Sequence, residues 1–154
     1  MNGSTGKNLV GVIIATAVGA GVAWAGGQGS ERALGIPIFW LVVGGAYLIQ
    51  WLAFILAFIL KTEKFYDLTG SLTYITLTTI TVLLIPQIDD RAALLLVLVV
   101  VWAARLGTFL FNRVLKAGSD DRFDEIKVSF GRFLLTWTLQ GLWVTFTAAA
   151  AWGA

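Results

Sequence analysis

The 154 residues are 58% hydrophobic and 13% charged, with a formal charge of +2 and neither histidine nor cysteine. A mean hydropathy of +0.83 lies far from soluble averages and marks a single integral membrane domain over residues 1–154. The missing residue types exclude disulfides, thiolate nucleophiles, histidine bases and nearly every zinc site, so no metal is expected; the small charge, spread over loops, gives no nucleic-acid surface.

A helical span needs about 20 mainly apolar residues to cross about 30 Å of hydrocarbon. Leu9 to Ala25 is the first, with Ala15, Gly19 and Ala23 at spacings that allow close helix contact. Lys7 before an apolar run that ends in small residues makes a cleaved signal peptide the alternative reading. Pro37 to Leu60 is the second span and opens with proline, whose missing N–H costs nothing there. Leu68 to Ile85, the third, carries Thr69, Thr73 and Thr76 on one stripe and Ser71, Tyr74, Thr78 and Thr81 on another. So many hydroxyls predict a helix inside a bundle or beside a cavity. Ala92 to Phe111 is the fourth span and contains Arg105; the fifth begins near Phe130, with Trp137, Gln140 and Trp143 on neighbouring turns. Asp89 and Asp90 sit in a short turn that explains them without catalysis. The sequence therefore predicts an all-α, polytopic transmembrane helix bundle of about five spans, with short connections favouring antiparallel neighbours.

Alternating spans put Lys7, Lys61, Lys64, Arg113, Lys116, Arg122, Lys127 and Arg132 on one side and Arg32 and Arg91 on the other. The bias places the N-terminus in the cytoplasm. Trp24, Trp40 and Trp152 then mark the outer interface as an aromatic belt.

Arg105 would lie about 10 Å deep, counted from Asn112 at about 1.5 Å per residue. A mid-span arginine costs about 2.5–3.5 kcal/mol on insertion scales, so it needs a partner or an aqueous pocket. Two readings follow: a structural pair with Asp67, which also suits the N-terminus of its helix, or a cytoplasmic anion site of Arg105, Arg113 and Arg122. In the long connection from Arg113 to Ser129, Gly118 ends one helix and Ser119 is placed to cap another, with Asp120 and Asp121 in its first turn. Phe123, Ile126 and Phe130 then recur at helical spacing, as in a helix lying on the membrane surface. The alternative is a cytoplasmic lip in which Arg122 meets a ligand phosphate.

Three blocks, KFYDLTGSLTYI (64–75), WAARLGTFLFNRVLKAGSDDRFDEIK (102–127) and WTLQGLWV (137–144), carry a resemblance. In order and spacing they resemble a bacterial membrane family of unknown function in the superfamily of steroid reductases and isoprenylcysteine methyltransferases. The resemblance implies a bundle in the bacterial inner membrane that binds NADPH at its cytoplasmic side. It also implies reduction of a polarised carbon–carbon double bond in a lipid-like substrate, the cofactor supplying hydride. Arg105, Asn112, Arg113, Asp121 and Arg122 match the positions expected to contact the cofactor. The family normally continues into an Arg-His-Pro-Asn-Tyr-like stretch, which a chain without histidine lacks, so a partner chain supplying that part is implied as well. Two alternatives stand beside the reductase: a relative that uses S-adenosylmethionine on a prenyl or lipid substrate, and a non-enzymatic bundle for lipid binding or assembly.

Overall fold

The computed structural model describes residues 3–154, with side chains from residue 5 onward. Five helices, α1 (Gly3–Gly27), α2 (Ile38–Leu60), α3 (Tyr66–Leu84), α4 (Asp90–Ala117) and α5 (Phe130–Trp152), account for most of the chain. Each is long and apolar enough to cross a bilayer, and the protein is an all-α integral membrane bundle.

Burial decides which helices are central. About four tenths of the apolar windows of α2, α3 and α5 are buried (39%, 44% and 44%), against 11% for α1 and α4. Accordingly α5 packs against α1, α2 and α3, while α4 rests mainly on α3. Gly131 at the start of α5 lies beside Thr5 and Asn8, whereas Gly26 and Gly153 both face Phe39, so α1 and α5 run parallel. The alternation gathers Lys61, Lys64, Arg113, Arg122, Lys127 and Arg132 at the end where α1 begins. This is the basic end of the bundle.

The hydroxyl-rich third span is buried along Ser71, Thr73, Tyr74, Thr78 and Thr81, but Thr76 is exposed. Several hydroxyls donate to the carbonyl four residues back, as Thr73 does to Thr69 (2.7 Å) and Thr138 to Leu134 (2.8 Å). That leaves their oxygens free to accept across helices. Thr73 Oγ1 accepts from Gln50 Nε2 (2.9 Å), Thr138 Oγ1 from Trp51 Nε1 (3.1 Å) and Thr78 Oγ1 from Trp152 Nε1 (3.1 Å). Without water, such bonds replace solvation that the bilayer cannot give. They also correct the aromatic belt: Trp24 and Trp40 are exposed at the outer end, but Trp152 is buried because its indole N–H finds Thr78.

Two connections depart from the sequence reading. A two-stranded hairpin, β1 (Arg32–Ala33) and β2 (Ile36–Pro37), precedes α2 and turns through Leu34 (φ 53°) and Gly35 (φ 81°). After α4, Gly118 stops the helix at φ 83°, a conformation that suits glycine. The cap that follows is Asp120, not Ser119, and it begins only a 3-10 turn, Asp121–Phe123. No surface helix forms, because Phe123 is drawn inward against Tyr66 and Phe133, with ring centroids 5.0 and 6.3 Å away.

Candidate functional site

Since α4 rests mainly on α3, a cleft opens between α4 and α5, with α3 as its floor. Tyr66, Asp67, Gly70, Ser71 and Tyr74 form the floor, Trp102, Leu106 and Leu110 one wall, and Leu139, Gln140, Trp143 and Val144 the other. Its volume is about 350 Å³, and Trp102, Leu139 and Trp143, exposed within their spans, leave it open at the side. Tyr74 packs edge-on against Trp102 (5.0 Å between centroids), and beyond that pair the cleft continues as an apolar groove past Leu98, Val99 and Ala148.

Two polar atoms on the cleft are buried without a hydrogen-bond partner: Tyr74 Oη and Gln140 Oε1. Thr147 lies close to Tyr74, yet no hydrogen bond of normal geometry joins them. The amide of Gln140 is held in place because Nε2 donates to Tyr66 O (3.0 Å) and Gly70 leaves room for it. A buried acceptor and a buried hydroxyl, left unpaired, each cost about 1–3 kcal/mol unless a ligand or water meets them.

Charged residues surround the mouth of the cleft at the basic end. Arg113 Nη2 stands 3.9 Å from both Asp67 Oδ2 and Asp120 Oδ2, and Arg122 clamps Asp120 through Nε (2.8 and 3.0 Å) and Nη2. One carboxylate thus bridges two guanidinium groups. Behind it the nearly buried Glu63 accepts from Lys127 Nζ (3.0 Å) and from the backbone N–H of Asp120 (3.2 Å). Glu63 ties the α2–α3 turn to the α4–α5 connection.

These contacts set the ionisation of the mouth. Burial pushes the Glu63 carboxyl up, but the Asp120 N–H and Lys127 more than offset it and hold it below its ordinary value. The Arg122 side chain holds Asp120 below the ordinary range against its burial, and Lys127 is raised by its bonds to Asp124 and Glu63. Both acids bind fewer protons folded than unfolded near their titration, so their stabilisation is complete above the unfolded carboxylate values, about 4. It fades as pH falls through the lower folded values. Thermal unfolding in detergent should therefore lose stability below about pH 4, with a smaller acid loss in Glu63→Gln than in the wild type.

The residues singled out from the sequence fall into separate places. Arg113 and Arg122 come together around Asp120, with Asp121 exposed beside Arg122 and Asn112 exposed on α4. Arg105 is exposed on the side of α4 away from α3 and makes no ion pair among the described residues. The expected Arg105–Asp67 pair is thus replaced by Arg113–Asp67. The helix register explains it: Gly107 lies against Ser71, so the antiparallel α4 brings residues near 111, not 105, to Asp67.

The chain matches the protein family DUF1295, described as a protein of unknown function, over residues 53–152. It belongs to that family. The matched DUF1295 region takes in the α3–α5 cleft, the mouth and the last two turns of α2, and leaves α1, the hairpin and the rest of α2 outside. No curated protein and no solved structure matches the chain. Within the DUF1295 region, sequence reasoning missed Glu63: an acid between two lysines, in Lys61–Lys64, reads as solvated, and only the path of the α4–α5 connection buries it.

Proposed function

We propose that the chain is the lipid-holding part of a membrane reductase of the steroid reductase type, with its basic end in the cytoplasm of a bacterial cell. The observation that carries this reading is the side-opening cleft with Tyr74 Oη and Gln140 Oε1 buried and unpartnered. An apolar molecule entering from the bilayer would gain the apolar walls, and a polar group on it would relieve the atom it reaches. Tyr74 donates a hydrogen bond to a conjugated carbonyl oxygen and so draws electrons from the alkene, while Gln140 Oε1, about two turns nearer the basic end, accepts from a separate hydroxyl or water.

The arrangement at the mouth fits the phosphates of a nicotinamide cofactor in part. Asp120 occupies the place between Arg113 and Arg122 that a phosphate would share, and Arg113, half exposed and 3.9 Å from each acid, keeps donors free. In this reading Arg113 and Arg122 hold the phosphates, with Asn112 and Asp121 at the rim. NADPH, when bound, supplies the hydride of a two-electron reduction that also takes up one proton. A second reading, lipid binding without chemistry, is favoured by the full engagement of Arg122 with Asp120.

Titrating NADPH fluorescence against the purified chain, with and without a long-chain enone, separates the two. The reductase reading expects saturable NADPH binding, weakened about tenfold or more in Arg113→Leu, since a charged hydrogen bond is worth about 1.5–3 kcal/mol. Enone bound without NADPH leaves the lipid-binding reading; neither bound removes both. Tyr74→Phe should weaken enone binding about three- to tenfold and leave the saturated hydrocarbon of equal length unaffected.

A further inference from the structure

Arg105 lies in an outward face of α4 that is otherwise apolar or small. Val101 is 62% exposed and Phe109 65%. Ala104, Thr108 and Asn112, exposed as well, recur four residues apart beside it. Lipid tails give a guanidinium nothing to bind. Arg105, about two helical turns inside Asn112, is near the limit at which a side chain can reach the headgroups.

The neighbours of Arg105 suit a helix better than a lipid. Small residues let a second backbone approach, and Thr108 and Asn112 offer interhelical hydrogen bonds. A second copy paired symmetrically through α4 would set Arg105 against Arg105. This chain also offers no acid at that depth: Asp67 and Asp90 lie in the first turns of α3 and α4, and the remaining acids lie in connections. We propose that this face of α4 receives a partner transmembrane helix that carries a carboxylate at the level of Arg105. Two opposite charges meeting away from water, with close backbone packing around them, give both affinity and register.

The test uses a synthetic transmembrane peptide of leucine and alanine with one glutamate placed to face Arg105, its Glu→Gln form, and a form with the glutamate moved by two residues. Association with the full chain is read by energy transfer in phosphatidylcholine vesicles, from a label on a cysteine introduced at Leu56, on the exposed side of α2. The proposal expects the matched glutamate peptide to bind about tenfold or more tightly than both controls. That preference should vanish in Arg105→Leu, which inserts more readily than the wild type, and weaken in Ala104→Leu. Equal binding of the three peptides would overturn it. So would a preference that survives Arg105→Leu, or no peptide binding together with Arg105-dependent retention of phosphatidylglycerol over phosphatidylcholine, which assigns the face to a lipid headgroup.

Discussion

Replacing Glu63 with alanine is expected to cost about 3 kcal/mol of folded-state stability, the low end of what removing one partner from a buried ion pair costs. The carboxylate is 4% exposed and holds two donors from the α4–α5 connection, Lys127 Nζ and the Asp120 N–H. Lys127 keeps Asp124 at 3.0 Å, which limits the loss. The backbone N–H of Asp120 has no such substitute. Because Asp120 also organises Arg113 and Arg122, the variant should loosen the mouth as well as the fold. Denaturant titration in detergent gives the first effect, and proteolysis between Gly118 and Lys127 gives the second. A loss under about 1 kcal/mol with unchanged proteolysis would mean the clasp is a surface ion pair of ordinary weight.

Gly107→Ala carries the next largest effect, about 1–3 kcal/mol, through overpacking. A Cβ there would stand 2.6 Å from Ser71 Cβ and 2.7 Å from its Oγ, closer than such atoms pack. Ser71 Cβ is fixed to the α3 backbone and cannot turn aside. The strain must therefore push α4 from its main support and reshape the cleft that both helices line. Ser71→Gly removes the opposing atom, so Ser71→Gly/Gly107→Ala should recover most of the loss that Gly107→Ala suffers alone. Additive losses in that double-mutant cycle would show that the two helices do not meet there.

The spans were legible because a bilayer demands long apolar runs, and hydropathy reports that demand directly. Pro37 and Gly118 were legible for local reasons, whereas Asp89, read as a turn residue, proves to cap α4 by accepting from the Ala92 N–H at 2.7 Å. The facing of the helices was not. Both lipid and protein neighbours are apolar, so no alternation of polarity shows that Arg105 turns out while Trp152 turns in. The mouth was half legible. Arg113, Asp120 and Arg122 stand close in sequence, but their link to Asp67 depends on the α3–α4 register set by Gly107, and Glu63 depends on a loop path that no periodicity encodes. Tyr74 and Gln140 were visible as polar residues in spans; their unpaired atoms follow from the gap between α4 and α5.

The central claim is that a lipid-like molecule enters between α4 and α5. A long-chain enone bearing a photoreactive diazirine near its carbonyl, irradiated with the chain in phosphatidylcholine vesicles and mapped by mass spectrometry, tests it most directly. Adducts should concentrate on 66–74, 102–110 and 139–144, be displaced by excess unlabelled enone, and shift away from Tyr74 in Tyr74→Phe. Adducts spread over the outward residues Ile55, Ile59, Leu94 and Val97, undiminished by competitor, would show an enone that samples only the bilayer around the bundle, and the cleft would not be a binding site.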